Sequence, residues 1–455
     1  MIVDKAIRST RTKPGPYGDS QSIMLNSKDL RRSCLVLVWL SCCIAAFGQS
    51  RIARQQAEPL LRNLPAGLVV VTSTEIPAEN RDSIGRKLGG KIERLSNSTI
   101  RVHGRPIQVN VIVAADDDSA DALWTALNRI KRPPFLVRRG REIIEYVADD
   151  DALARKTTWE SGIEPKPKSV RYRVTAELAT VDKPDDTAAN PLFQAFIDQS
   201  LRPSPETASR IAELASKFTF GKSLALRDPT VSGDTKVRFG PAPIGSRKAG
   251  EKIFYDFDDL PLRHRIPYVK AIIETTVDGD DVSTPSSRPK PVSETTGISL
   301  TAATPRWPAD DSKIRELAES ITAGNTDDAA KIGSILAWLT PGKNIRYEGQ
   351  TGSRWGTAKA LQQKFGHCWD FSDLFVTLAR ASGVPARQVG GWLFGTSGHV
   401  WAEWHDARRG WIPVDPTGGG ILPCGIYHIA YFTSEDGEMP VLYLSIPKIE
   451  IVETR

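Results

Sequence analysis

Residues 364–375 read KFGHCWDFSDLF, and the run they open constrains the fold more than any other part of the chain. Phe371, Leu374, Phe375 and Leu378 recur at helical spacing, and Gly383-Val384-Pro385 ends the pattern. An apolar helix is therefore predicted, with Cys368 in its first turn. Unpaired backbone N–H groups and the positive end of the helix dipole stabilise a thiolate at that position. Thiolate, not thiol, is the nucleophile. Burial alone does not explain the placement, because a core cysteine could sit anywhere along the apolar face.

A nucleophile needs a base, and HVWAEWHDARRGWIPVDPT offers one. Val400, Ala402 and Trp404 alternate with His399, Trp401 and Glu403, as on a strand. RRG marks a turn and WIPVD a second strand. A hairpin centred on Ala407 sets Trp401 opposite Pro413 and His399 opposite Asp415, with Cβ atoms about 5 Å apart. Equal parity keeps both side chains on one face. Asp415 then orients the imidazole, and His399 takes the Cys368 proton and returns it to a leaving amine.

The segment from about 309 to 418 resembles the transglutaminase-like superfamily, with its papain-like Cys-His-Asp core. The matching pieces are GHCWDFSDLFVTLARASGVPARQVGGW and HVWAEWHDARRGWIPVDPT. The resemblance implies Cys368 as nucleophile, His399 as general base and acid, and Asp415 as orienting carboxylate. It also implies a second oxyanion donor upstream of the cysteine, for which Trp355 is the nearest residue. The backbone N–H of Cys368 is the first donor. No calcium-loop pattern is visible, so calcium dependence is not carried over, and neither a cofactor nor a metal is expected.

Other roles compete for these residues. A disulfide between Cys368 and Cys424 would leave His399 and Asp415 an ordinary buried pair. His399, His405, Cys424 and His428 could ligate a metal, although zinc sites usually show tighter paired ligands. His367 is expected to point away from the cysteine, and His405 to lie exposed at the turn. Asp370 and Asp373 are expected on the polar face and first turn of the helix, and Glu403 shares the face of His399 or meets solvent. At least two of Trp369, Trp392, Trp401 and Trp411 are expected in the core.

The 455 residues exceed one hydrophobic core and suggest roughly three domains. Residues 60–150 order their patterns as β-α-β-β-α-β, which suggests a ferredoxin-like α/β sandwich closed by a last strand or a hairpin. Residues 169–277 read as a β-rich domain with a helical insert, beginning with the alternating SVRYRVTAEL. Residues 278–304, rich in Pro, Ser and Thr, read as a linker. Residues 305–455 form the expected catalytic domain. The fold class is thus α+β, a papain-like transglutaminase-type core preceded by two further domains.

Three of the five cysteines, Cys34, Cys42 and Cys43, lie in RRSCLVLVWLSCCIAAFGQS. Arg31-Arg32, a short apolar run and Ala46-Phe47-Gly48 read as a secretory signal peptide within 1–48, with the true start at Met24. An uncleaved anchor is the alternative. Residues 1–48 carry seven Lys/Arg and three Asp/Glu, so without them the formal net charge falls from +6 to +2. No basic run with interleaved aromatics follows, which argues against nucleic acid. The expectation is an exported thiol enzyme, periplasmic or extracellular, whose partner is a protein or peptide substrate. Apart from that anchor, no membrane contact is expected. A non-catalytic envelope protein keeping the fold is the second expectation.

Overall fold

The structure, a computed structural model, describes residues 68–455 apart from 103–104, 130–135, 148–150, 184–190, 193, 197, 200–202, 230–233, 280–298, 350–351, 396–397 and 419–423. The signal-peptide reading, the start at Met24, three of the cysteines and most of the 278–304 linker lie outside these residues. Among the described residues, no helix is long and apolar enough to cross a membrane.

The first unit runs β1 (Leu68–Glu75), α1 (Ala78–Leu88), β2 (Ile92–Val102), β3 (Arg105–Ala114), α2 (Asp117–Asn128), β4 (Leu136–Arg139) and β5 (Glu142–Val147). The sheet order is β1-β2-β3-β5-β4, antiparallel throughout. The unit closes with a hairpin, one of the two closures expected, but the split order of a ferredoxin-like sandwich is absent. In that fold a strand lies between the two joined by a helix; here β1 pairs directly with β2. The reason is local. Glu75 at the end of β1 faces Ser96, so residues 92–95 of β2 run past β1, and α1 packs on β2 before the chain turns back. Asp116 caps α2 by accepting the Ser119 N–H.

α3 (Asp151–Glu160) links this unit to the next. Leu153 and Ala154 join the core of the first sheet, while Trp159 joins that of the second. β6 (Ser169–Lys183) then buries Val170, Tyr172, Val174, Ala176 and Leu178 on one face, the alternation legible in the sequence. After α4 (Pro205–Ala215) come β7 (Thr219–Gly221), β8 (Ser223–Arg227), β9 (Lys236–Gly240), β10 (Gly245–Ala249) and β11 (Lys252–Asp256). A two-residue hairpin, β12 (Leu262–Arg263) and β13 (Ile266–Pro267), precedes β14 (Val269–Asp278). β14 pairs with β6 from Val269↔Leu178 to Asp278↔Ser169 and with β9 on its other edge.

The last part contains α5 (Ser312–Thr322), α6 (Asp328–Leu339), β15 (Arg346–Tyr347), α7 (Thr357–Gln363), β16 (Phe365–Gly366) and α8 (Cys368–Ala381). Asp311 and Asp327 cap α5 and α6 through side-chain bonds to backbone N–H groups. Then β17 (Ala386–Leu393), β18 (Gly398–Asp406), β19 (Gly410–Val414) and β20 (His428–Ser434) form a sheet ordered β19-β18-β17-β20. Phe371, Leu374 and Phe375 of α8 are wholly buried against Ala402 and Trp404 of that sheet. Each such side chain contributes about 1.5–3 kcal/mol by burial.

The chain does not end within that sheet. β21 (Val441–Tyr443) and β22 (Lys448–Thr454) return to pair with β6. The expected unit 305–455 is therefore not closed: its last strands complete the sheet of 169–277. One core joins the two, with Tyr172 and Val174 of β6 sharing it with Trp392, Ile429 and Tyr431.

Candidate active site

α8 begins where Gly366 passes under Asp370. A Cβ on Gly366 would lie 2.6 Å from the Asp370 Cβ, so the chain there must be glycine. Asp370 Oδ2 accepts the His367 N–H at 3.0 Å, closing the helix start. Its Oδ1 accepts the N–H groups of Trp355 (2.7 Å) and Gly356 (3.0 Å). Burial raises the Asp370 carboxyl to about 6 despite these three donors, with Asp373 adding to the rise. Asp370 is thus buried rather than on a polar face, and it ties the loop before α7 to the tip of α8.

Cys368 is buried at that tip, 4% exposed, and its sulfur lies 3.3 Å from His367 Nδ1. The Tyr347 hydroxyl is 3.2 Å from the other nitrogen of that ring. His367 therefore touches the sulfur, contrary to the sequence expectation, because Asp370 fixes its backbone as the residue before the helix. Burial pushes the thiol up, but hydrogen bonds and charge from His367 and His399 outweigh it and bring the thiol down to about 6. Cys368 and Cys424 are not bonded to each other, so the disulfide alternative is not what the structure contains.

His399 Nε2 donates to Asp415 Oδ2 at 2.8 Å, leaving Nδ1 for the sulfur. Burial lowers the imidazole, yet Asp415 and the adjoining Cys368 raise it to about 10. Burial opposes ionisation of Asp415 too, but the two imidazoles on it hold it well below the usual carboxylate range. Cys368, His399 and Asp415 are therefore brought together, though not by the expected register. Ala402 pairs with Val414 and Glu403 with Pro413, which centres the hairpin on Arg408 instead of Ala407. His399 and Asp415 are then diagonal rather than opposed. Moving the centre by one residue changes each pairing by two, so parity survives and the side chains still meet.

His428 had entered only as a metal ligand beside His405 and Cys424. Its Nε2 lies 3.1 Å from Asp415 Oδ2, so the group that assembles is His399, Asp415 and His428. The three could reach one ion, but the donors are already committed. Ligating histidines normally donate their second N–H to an acceptor. His428 Nδ1 has no hydrogen-bond partner, and the second nitrogen of His399 serves the sulfur. Hydrogen bonding accounts for the cluster without an ion. His405 instead faces Trp411, 5.3 Å ring to ring and edge-on. No signal local to His428 places it here, since a loop and a strand change separate it from Asp415.

Trp355 packs edge-on against Phe365, ring centroids 5.3 Å apart, and the described contacts include none from its indole to Cys368. Trp392 and Trp401 are fully buried, as expected of at least two of the four tryptophans, while Trp369 lies under the Arg354 guanidinium. Glu403 is buried between Arg227 and Arg387, not in solvent. Sequence alone gave no hint of Lys156, wholly buried on α3 with its ammonium 4.6 Å from the Tyr427 ring. Burial lowers that lysine to about 8, against the pull of Glu160 and Asp415.

Residues 315–416 match the family described as Transglutaminase-like superfamily. The uncharacterized protein YebA of Bacillus subtilis is 32% identical over 93 residues, which is 17% of this chain and 12% of that protein. The aligned part thus spans only a small fraction of the curated relative. Among solved structures, a candidate cysteine protease from Cytophaga hutchinsonii is 14% identical, with 63% of this chain and 92% of that one covered at a TM-score of 0.37. The periplasmic domain of TgpA from Pseudomonas aeruginosa is also 14% identical, with 55% and 88% covered at a TM-score of 0.27. Residues 315–416, with a cysteine at a helix tip beside a histidine and an aspartate of the adjoining sheet, thus carry a core of the transglutaminase-like superfamily.

Proposed function

We propose that the chain is an exported thiol enzyme that cleaves amide bonds of proteins or peptides through Cys368, His399 and Asp415. The observation that carries this reading is the buried relay from sulfur to imidazole to carboxylate, with the thiol lowered and the imidazole raised. The Cys368 thiolate attacks the carbonyl carbon, and the backbone N–H groups at the start of α8 face the developing oxyanion. The C–N bond breaks as the His399 imidazolium gives its proton to the leaving amine. A thioester remains on Cys368. Neutral His399 then takes a proton from water, whose oxygen attacks the thioester and releases the acid and the thiolate.

An amine in place of that water would make the reaction a transfer. Hydrolysis is favoured because no cluster among the described residues of the site marks a place for an amine donor. Trp355 as second oxyanion donor belongs to the same reading and requires its indole to turn from Phe365 when substrate binds. The test is acylation of purified protein by activated peptide esters, followed by mass spectrometry. The expected product is an adduct on Cys368 that hydroxylamine removes and that Cys368→Ala lacks. A wild-type protein that forms no adduct, and whose Cys368 is alkylated with a midpoint near the ordinary thiol value of about 8.5, would instead fit a non-catalytic envelope protein.

A further inference from the structure

Asp415 accepts four hydrogen bonds. Thr417 gives two to Oδ1, from its N–H at 3.0 Å and its hydroxyl at 2.6 Å. Oδ2 receives Nε2 of His399 at 2.8 Å and Nε2 of His428 at 3.1 Å. The second imidazole comes from the first residue of β20, two strands away from His399 in the sheet. Its ring is fixed edge-on to Trp401 at 5.1 Å and lies 6.0 Å from the His399 ring.

The protonation of His428 follows from its partners. A carboxylate only accepts, so the nitrogen facing Asp415 carries hydrogen. Nδ1 is buried with no hydrogen-bond partner. A proton there would leave an unsatisfied buried donor, at a cost of about 1–3 kcal/mol. His428 is therefore a neutral donor through Nε2. Burial disfavours a cation at His428; the Asp415 carboxylate pulls the other way, but the His399 imidazolium and the Lys156 ammonium on α3 side with burial, and the ring is held below its usual value.

We propose that His428 is a positioning residue for the thiol reaction, a neutral hydrogen-bond donor that fixes the Asp415 carboxylate toward His399. The inference rests on the reading of Cys368, His399 and Asp415 as the reacting set. A cation at this place would divide the carboxylate's charge between two imidazoliums. A neutral donor fixes Oδ2 and leaves the whole charge to His399. Without it Asp415 can turn toward Thr417, His399 loses part of its counter-charge, and the thiolate loses part of its imidazolium. The other groups facing Cys368 are His367, Tyr347 and Tyr443, and none of them touches Asp415 through a hydrogen bond among those described.

The test is the pH profile of iodoacetamide alkylation at Cys368, in protein carrying Cys424→Ser. The variants are His428→Phe, which removes the donor and keeps the ring, and His428→Gln, which offers an amide N–H. His428→Phe is expected to move the midpoint upward by about one pH unit, a roughly tenfold loss of rate on the acid limb. His428→Gln is expected to recover most of it. A His428→Phe profile superimposed on wild type while Asp415→Asn shifts it overturns the proposal and leaves the triad standing. Equal shifts in both His428 variants also overturn it, since packing alone would then be at work. A profile unmoved by Asp415→Asn and by His399→Ala means instead that the triad reading has failed. Nitrogen NMR of the unmutated protein gives a check independent of any variant's folding. His428 should be neutral with its proton on Nε2 at pH 7, and an imidazolium or an Nδ1–H form would sink the idea.

Discussion

Asp373 accepts from Trp307 Nε1 at 2.9 Å, from Arg354 at 2.7 and 2.6 Å, and from Gln388 Nε2 at 3.0 Å. It is wholly buried, and its Arg354 partner nearly so. Asp373→Asn would leave that guanidinium without its charge, and breaking such a buried pair costs about 3–5 kcal/mol. Urea unfolding should show that loss, and a loss under about 1 kcal/mol would mean the pair is dispensable. For the reaction, the pH dependence follows from two groups. The thiol ionises near 6 and the imidazole gives up its proton near 10. Alkylation of Cys368 should rise through about pH 6 and then stay level, because the thiolate persists in base. Turnover should form a plateau and fall above about 10, where His399 can no longer protonate the leaving amine. At this scale the residues proposed to react were legible from residue type and place: a cysteine at a helix start, and a histidine and an aspartate of equal parity on a hairpin. Asp370, Asp373 and Glu403 were misread, because only the fold reveals their partners: backbone N–H groups, two of them from the loop before α7, for Asp370, and arginines distant in sequence for Asp373 and Glu403.

The register of the β18–β19 hairpin is an element-scale lesson. RRG marked the turn correctly, but the turn centre was misplaced by one residue, and only parity preserved the site. β6 was legible because its alternation is strict, and α8 because its apolar spacing is unbroken. The ferredoxin-like order failed because a string of strands and helices does not state which strands are neighbours. α8 also supports a prediction. In Gly366→Ala the new methyl would press on Asp370, which holds His367, Trp355 and Gly356 by their N–H groups. Overpacking of this kind costs about 1–3 kcal/mol, and a displaced nucleophile can cost about 100-fold in rate. We expect a folded variant whose acylation rate falls at least tenfold, about 1.4 kcal/mol. An unchanged rate would show that the helix tip tolerates movement.

At the scale of the molecule, the thiol half cannot be cut away between 278 and 304. Trp392, Ile429 and Tyr431 are covered by β6 and β14, so a fragment beginning at 305 would expose them. Such a fragment should show no cooperative thermal transition. A sharp transition with an activated thiol would contradict the shared core. Whether the first unit acts as an inhibitory propeptide is tested by a cut within 148–150, which spares α3 and Lys156. A cut chain that acylates no faster than the intact one would exclude that role. The return of β21 and β22 to β6 also governs when the enzyme can exist. β6 must wait some 260 residues for its last partners, and pairings this distant in sequence form slowly. A nascent chain has made the sulfur, the imidazole and the carboxylate well before residue 454 leaves the ribosome, yet the sheet behind them is still open. Synthesis order therefore leaves the thiol without its full backing until β22 has been made, so shorter nascent chains hold the three groups on an unfinished sheet.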